Sequence, residues 1–308
     1  MRTRRTPAAG RATPPGSRSG SRTAVLGSPV GDSLAPALHR AAYAALGLDW
    51  TCEAIECGAP GLPALVDPLD GDRTGLCLAL ALRRAVLPLV DEVSDLALDV
   101  GGADTVVFRD GRSLGDHTGA HGITAALRQA GLRTPGSAVV LGGGAAACSA
   151  LAALRELGVR EPAVVVREPG RAAEVEAAAG RLGVSVDLHG FDALDRLLRE
   201  VAVVVSTLPA DAADALAPTV ARSGATVLDT AYAARPTRLV KAAGFAGCAV
   251  VDGLSVLTHR TMRQIELMTG LPGPTDPGAP TDPPAVAVRR AARAELVRRA
   301  AREAEPAG

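Results

Sequence analysis

The chain has 308 residues, of which 47% are hydrophobic and 2% aromatic, so it is long enough for two domains with cores of alanine, valine and leucine. Its 33 basic and 33 acidic side chains cancel, which argues against a general nucleic-acid-binding protein. No uninterrupted apolar run reaches the roughly 18–20 residues of a membrane span, and five scattered cysteines indicate reduced thiols and a cytoplasmic location.

Residues 1–22 carry arginine, serine, proline and glycine, with no acidic side chain and no run of core-forming residues. This composition predicts a disordered extension. A transit peptide has a similar composition, but the heavy use of alanine and arginine continues through the whole chain, which favours the extension.

The region from residue 23 to about 122 predicts a mixture of strands, helices and turns. Strands are predicted over 23–30 and 51–57 and from 75, a helix over 33–48, and a second helix from Arg84. Ser33 is the expected N-terminal cap of the first helix. The stretch from Ser94 predicts a loop followed by a β-hairpin that turns at Asp110 and Gly111.

Strands alternate with helices in the second half of the chain. The apolar runs SAVVL, AVVV, VAVVV and ATVL predict buried strands, and ITAALRQAGL, AAACSALAALRELG and RAAEVEAAAGRLG predict helices. Such alternation predicts an α/β fold with a parallel, doubly wound sheet.

The chain from Gly253 onward predicts two helices joined by a linker. The first helix is LTHRTMRQIELMTG, the linker over 273–284 is rich in proline and aspartate, and the final helix over 285–303 is basic and amphipathic. The final helix is suited either to a partner with an acidic surface or to packing its apolar stripe on the body, and the second is favoured.

The run VVLGGGAAA places Gly142, Gly144 and Ala147 in the spacing of a dinucleotide-binding turn, between a buried strand and a helix. Gly142 permits the tight turn, Gly144 lets the backbone approach a pyrophosphate, and Ala147 lets the helix pack closely on the strand. Exposed N–H groups at the start of the helix favour phosphates. The predicted cofactor contacts are Gly142, Gly143, Gly144, Ala145 and Ala146. The alternative is a turn that only packs strand and helix closely.

The next strand ends at Arg167, with Glu168 following and Arg171 nearby. A guanidinium at this strand end suits the 2′-phosphate of NADP, so NADP is predicted in preference to NAD. Glu168 either opposes that phosphate or pairs with an arginine. Ser206 and Thr207 follow a later strand at the same sheet edge, either as cofactor contacts or as a plain turn.

Seven segments, in order along the chain, resemble the shikimate dehydrogenase family. They are GSPVGDSLAPALH (27–39), DVGGADTVV (99–107), GDHTGAHG (115–122), LGGGAAA (141–147), VVVREPGRA (164–172), LDTAYAARPTRL (228–239) and DGLSVLTHRTMRQIELMTG (252–270).

The resemblance implies an N-terminal substrate domain, a Rossmann-like NADP domain, and an active site in the cleft between them. It divides the chain into the extension 1–22, a substrate domain 23–122, an NADP domain 123–252, and C-terminal helices 253–308 that return to the first domain. It also implies reduction of 3-dehydroshikimate with NADPH in aromatic amino-acid biosynthesis, with Gly253 at the cofactor. The expected partners are NADP(H) and a polar or carboxylate-bearing small molecule, bound by a monomer or homodimer.

The segment GLCLALALRRAVLPL, residues 75–89, aligns with a family segment whose polar residue, threonine and lysine face the substrate. Cys77, Ala79 and Arg83 occupy those positions here. Arginine stays protonated near neutral pH, so it can polarise a carbonyl group but cannot donate and recover a proton as lysine does. Gly119 stands where the family has the aspartate partner of the lysine. Because general acid–base help is worth about 10²–10⁴ in rate, the double replacement predicts weak turnover or none.

Other positions that contact substrate in the family are also changed. The resemblance implies that Ala35 replaces a serine, Asp104 and His117 replace asparagines, and Arg260 replaces a glutamine. The family residues are kept at Ser33, Thr118, Tyr232 and Gln264. A pocket that has lost donors and acceptors binds a polyol weakly.

The new polar residues suggest other chemistry. His39, His117, His121 and His259 make a weak case for a metal site, and none is expected. Asp104 and His117 could form an acid–base pair, although a structural hydrogen bond is favoured. The apolar neighbours of Cys77 argue against a nucleophilic thiol.

Two hypotheses follow from these residues. The first is an NADP-dependent oxidoreductase of this family with weak shikimate turnover or a changed substrate. The second is a non-catalytic relative that binds NADP(H) or a partner as a sensor or interaction module. The chemistry at Arg83 and Gly119 separates them.

Overall fold

The computed structural model describes residues 20–31, 33–66, 73–232, 236–271 and 283–304. The predicted extension lies outside these residues except for its last three, and most of the predicted linker over 273–284 lies outside them as well. Within this part of the chain, no helix is long and apolar enough to cross a membrane.

A mixed sheet is formed by the strands of the first region. These are β1 (Arg22–Gly27), β2 (Thr51–Glu56), β3 (Arg73–Leu78), β4 (Glu92–Val93), β5 (Thr105–Arg109) and β6 (Arg112–Asp116), in the order β2-β1-β3-β5-β6-β4. β1 pairs in parallel with β2 and β3, whereas β5 is antiparallel to β3 and β6. The predicted hairpin between β5 and β6 is confirmed. Asp110 and Gly111 both have positive φ, 52° and 72°, as a two-residue hairpin turn requires.

An all-parallel sheet is formed by the strands of the second region. These are β7 (Ala138–Leu141), β8 (Ala163–Val165), β9 (Asp187–His189), β10 (Val203–Ser206), β11 (Thr226–Asp229) and β12 (Val250–Val251), in the order β12-β11-β10-β7-β8-β9. β7 and β10 are buried along their whole length, because both faces of the sheet are covered. This confirms the predicted doubly wound, Rossmann-like sheet.

The helices cover both sheets. They are α1 (Ala35–Leu46), α2 (Asp95–Val100), α3 (Gly119–Gln129), α4 (Ala145–Glu156), α5 (Ala173–Leu182), α6 (Leu194–Leu197), α7 (Ala210–Asp214), α8 (Ala217–Ala221), α9 (Arg238–Phe245), α10 (Gly253–Thr269) and α11 (Pro283–Ala304). Each face of each sheet packs on its own apolar cluster, built mainly from alanine, valine and leucine.

Three local predictions in the first region are wrong. The helix expected from Arg84 is instead a 3₁₀ turn over Leu87–Leu89, because Pro88 lacks the N–H that an α-helix needs. The loop expected from Ser94 contains α2, whose first turn is capped by the Ser94 side chain. The N-cap of α1 is Leu34 rather than Ser33.

The end of the chain returns to the first sheet. Val288, Ala292 and Leu296 of α11 are buried in the same cluster as Tyr43 of α1 and Ile265 of α10. The prediction that the final helix packs its apolar stripe on the body is therefore confirmed.

Candidate active site

A cavity of about 410 Å³ opens between the two sheets. Its wall comes from the segments after β1 and β3, the first turns of α3 and α4, the loop after β11, and α10. Loops at the carboxyl ends of parallel strands therefore meet there, which is where ligands bind in α/β folds.

The structure brings most of the predicted substrate residues to this cavity. Those that line it are Ser33, Ala35, Cys77, Ala79, Arg83, Gly119, Tyr232 and Arg260. The other four predicted residues, Asp104, His117, Thr118 and Gln264, are buried and hydrogen-bonded within the protein. The predicted set is thus split into a cavity wall and a buried polar layer.

Arg83 follows the 3₁₀ turn Leu80–Leu82 at the end of β3, and its side chain reaches the cavity wall while remaining 9% exposed. Its Nε is buried without a hydrogen-bond partner among the described residues. Burial, followed by the nearby positive charge of Arg260, lowers the pKa of Arg83 to about 10. The guanidinium therefore stays charged near neutral pH.

Asp104, the residue before β5, is fully buried and accepts several hydrogen bonds. Oδ1 accepts from the backbone N–H of Thr118 (2.8 Å) and from the hydroxyls of Thr118 (2.7 Å) and Thr105 (2.9 Å). Oδ2 accepts from the N–H of Gly119 (2.9 Å) and lies 3.5 Å from Nε of Arg260. Burial alone would raise the pKa of Asp104, but Arg260 and other nearby positive or hydrogen-bonding groups hold it well below its usual range.

Gly119 lies directly against this carboxylate. A Cβ at position 119 would be 3.1 Å from Oδ2 of Asp104 and 3.1 Å from Nε2 of His117. The sequence alone does not show that positions 104 and 119 are neighbours. Because the two positions are adjacent in space, the buried layer keeps a carboxylate, supplied from β5 instead of from α3.

A chain of buried hydrogen bonds connects Asp104 to α1. Nε2 of Gln264 donates to the Thr105 hydroxyl at 3.1 Å, and Oε1 of Gln264 lies 3.2 Å from Nε2 of His39. Nδ1 of His39 is 3.0 Å from the hydroxyl of Tyr43. Burial lowers the pKa of His39 to about 4, so its ring is neutral near pH 7. This role of His39 was not predicted, although the i, i+4 spacing of His39 and Tyr43 is a usable signal.

His117 does not form the alternative acid–base pair with Asp104. Its Nδ1 donates to the carbonyl oxygen of Gly102 at 2.8 Å, and its Nε2 is 2.9 Å from the Ser149 hydroxyl. Burial lowers its pKa, against the opposing charge of Asp104. The structural hydrogen bond that was favoured for Asp104 and His117 is also not formed, because both ring nitrogens of His117 bond to Gly102 and Ser149 instead. Among the described residues there is no cluster of three or more side chains that could hold a metal ion.

The glycine turn lies between the cleft and a second cavity. That cavity, about 340 Å³, is lined by Gly142, Gly143, Arg167 and Glu168 among others, whereas Ala146 lines the cleft. Gly142 has φ +112°, and a Cβ there would come within 2.5 Å of the Thr207 hydroxyl. Only glycine fits this position, so the turn is as tight as the sequence predicted.

The N-terminus of α4 is open to a ligand. Gly144 is its N-cap without a side-chain cap, and a Cβ at Gly144 would meet nothing within 4 Å. The N–H groups of Ala145 and Ala146 lie in the first turn, where a helix offers no backbone acceptor. These donors and the helix dipole make the start of α4 suitable for an anionic group.

The remaining predicted cofactor residues differ in their surroundings. Gly253 begins α10 at the cleft, and a Cβ there would be 2.5 Å from the carbonyl oxygen of Ala231. The Thr207 hydroxyl donates to the backbone of Leu141. The Ser206 side chain is fully buried at the end of β10, so the cofactor contact at this position stays a prediction that its side chain does not support. The Arg171 side chain lies outside the described part of the structure.

The two sheets, the cleft and the glycine turn define a two-lobed α/β protein with a Rossmann-like half. A family model for the shikimate dehydrogenase substrate binding domain matches residues 25–106. A shikimate dehydrogenase (NADP(+)) of Natronomonas pharaonis is 32% identical over 263 residues, covering 82% of this chain and 95% of the relative. The chain belongs to the shikimate dehydrogenase family.

Solved structures agree with this assignment. Shikimate dehydrogenase of Mycobacterium tuberculosis matches with a TM-score of 0.79 and 37% identity, covering 89% of this chain and 99% of that one. Shikimate 5-dehydrogenase of Thermus thermophilus, in complex with NADP(H) and shikimate, matches with a TM-score of 0.73 and 32% identity. The match covers 88% of this chain and 99% of that one.

Proposed function

We propose that the protein is an NADP(H)-dependent oxidoreductase whose cleft takes a small polar or carboxylate-bearing substrate, and that it turns over shikimate weakly. The observation that carries the proposal is the cavity between the lobes, lined by Arg83 and Gly119 at the positions of the family lysine and aspartate. The corresponding division of the chain is a substrate lobe over 23–122, a cofactor lobe over 123–252 and returning helices over 253–308.

The cofactor half of the proposal rests on the shape of the glycine turn. Gly142 and Gly143 leave a cradle that a Cβ would fill, and the first N–H groups of α4 point to phosphate binding. Arg167 at the edge of the second cavity supplies the cation for a 2′-phosphate. Relatives named as NADP(+) enzymes support the same choice. When bound, the cofactor supplies or accepts a hydride, and the protein positions it.

Weak shikimate turnover is expected from the replaced wall residues. Arg83 stays charged near neutral pH, as a lysine would, but its charge is delocalised over a planar guanidinium, which suits holding an anion rather than passing on a proton. The nearby carboxylate of Asp104 accepts hydrogen bonds from Thr118 and Gly119 and pairs with Arg260. It is buried beneath the cavity wall and is not available as a proton acceptor for a substrate. The same observation favours a second candidate, a protein that binds NADP(H) without turnover.

Two measurements on the purified protein test this proposal. Enhancement of NADPH fluorescence should show binding of NADPH in preference to NADH, reduced in Arg167→Ala but unchanged in the control Arg160→Ala, which alters an exposed arginine of the same lobe. Reduction of NADP⁺ by saturating shikimate should be about 10²-fold or more slower than for the Mycobacterium tuberculosis relative assayed alongside. An equal rate would refute the proposed effect of Arg83 and Gly119.

A further inference from the structure

The inner end of the cleft carries an excess positive charge. Arg83 and Arg260 both line it, and Asp104 is the carboxylate that faces them from β5. The buried rings of His39 and His117 have lowered pKa values, so they add no charge near pH 7. The pKa of the Cys77 thiol is raised well above its usual value by burial, so the thiol is neutral too. Two guanidinium groups and one carboxylate leave one positive charge among the described residues of this wall.

Arg83 makes no hydrogen bond or ion pair through its side chain among the described residues, and Asp104 attracts it only at longer range. Arg260 has Asp104 at 3.5 Å, although its Nε also lacks a hydrogen bond. A charge that is nine-tenths buried and has no direct partner is unfavourable in the ligand-free protein. A ligand that brings an anionic oxygen against Arg83 removes this penalty, and bidentate pairing with a carboxylate suits the planar guanidinium.

Most of the remaining cavity wall is apolar, although Ser33, Thr230 and Tyr232 also line it. The apolar part includes Val25, Val30, Leu80, Ile123, Val256 and Leu257. Ala35 and Ala79 add methyl groups at positions where the family resemblance implies hydroxyls. The polar groups of Thr118 and Gln264 are turned into the buried layer and bonded there. A ligand with several hydroxyl groups would therefore find partners for only some of them and would lose water at the others.

We propose that the cleft binds a monoanionic carboxylic acid, with its carboxylate against Arg83 and Arg260 and an apolar body toward the remaining wall. This inference rests on the proposed function, because it names the class of ligand for the same cleft. A carboxylate matches the single excess charge, whereas a phosphate monoester brings about −1.5 to −2.

Titration calorimetry with cyclohexanecarboxylate, its neutral isostere cyclohexanecarboxamide, and shikimate tests the inference. The carboxylate should bind at least about tenfold more tightly than the carboxamide, since a hydrogen bond to a charged group has roughly that effect. It should also bind at least as tightly as shikimate. Equal affinity for carboxylate and carboxamide, or tighter binding of shikimate, would overturn the inference.

The variant Arg83→Met tests whether Arg83 binds the ligand or only stabilises the fold. The variant removes the charge at similar length, so the empty protein should melt at the same temperature or higher. The affinity for cyclohexanecarboxylate should fall at least about tenfold. The rise in melting temperature that the acid causes should largely disappear. Arg84→Met changes the exposed neighbouring arginine and should leave both unchanged.

A lower melting temperature for Arg83→Met with unchanged affinity for the acid would make Arg83 structural and refute the inference.

NADPH fluorescence on the same samples separates the two proposals. NADPH binding without Arg83-dependent binding of the acid refutes this inference alone. Arg83-dependent binding of the acid without NADPH binding refutes the proposed cofactor and supports the anion site.

Discussion

At the scale of single residues, the most informative pair is Gly119 and Asp104. The sequence identifies each as a departure from the family, but it cannot show that a Cβ at 119 would lie 3.1 Å from Oδ2 of Asp104. A carboxylate at both positions would bring two like charges together in a buried layer. The two changes therefore depend on each other, and restoring one family residue alone does not restore the family site.

This dependence predicts the stability of Gly119→Asp. An acidic residue in the first turn of α3 would ordinarily stabilise the helix by about 0.3–1 kcal/mol. Here we expect the free energy of unfolding to fall by on the order of 2 kcal/mol, because Asp104 repels the new carboxylate.

Adding Asp104→Asn should recover part of that loss. Urea unfolding of the four proteins in the double-mutant cycle should give a favourable coupling of about 1–3 kcal/mol between the two substitutions. Additive effects within about 0.5 kcal/mol would mean that the carboxylates do not interact.

At the scale of elements, patterns with a strong local cause were predictable. The Asp110–Gly111 hairpin and the alternation of β7–β11 with helices follow from turn chemistry and hydrophobic period. The structure of the segment after Arg84 was not predictable in this way. Its apolar residues fit helical spacing, but Pro88 prevents an α-helix from forming there. The buried chain from α1 through Gln264 of α10 to β5 was also missed, since it joins residues more than 100 positions apart.

The His39 ring of that chain predicts a dependence of stability on pH. Its pKa falls from 6.5 to about 4 on folding, so the unfolded state binds more protons between these values. The contribution of His39 to the free energy of unfolding, about 3 kcal/mol, is fully present above pH 6.5 and is lost as the pH falls through about 4.

Urea unfolding measured between pH 7 and 4 checks this contribution. The other buried histidines with lowered pKa values, His117, His121 and His259, add slopes of their own. The slope of unfolding free energy against pH should therefore fall by about one proton in His39→Gln compared with the wild type. An unchanged slope would show that His39 titrates normally in the folded protein.

At the scale of the whole molecule, the two sheets meet at the carboxyl ends of their strands and enclose the cleft. The sequence predicted this arrangement only through its resemblance to a family, because periodicity does not fix how two lobes face each other. It did predict that α11 packs on the body, and the buried Val288, Ala292 and Leu296 confirm this. The loss of polar groups from the cavity wall was predicted at Ala35 and Ala79, but the inward turn of Thr118 and Gln264 into the buried layer was not.

We propose that the wall residues, and not a failure of the fold, limit the reaction with shikimate. The direct measurement is the kcat for NADP⁺ reduction at saturating shikimate, in the wild type and in the triple variant Arg83→Lys, Gly119→Asp, Asp104→Asn. The triple variant restores an exchangeable proton and moves the carboxylate back to α3 without placing two acids together. We predict an increase of at least about tenfold. No increase in a variant that still folds and binds NADPH would contradict the claim.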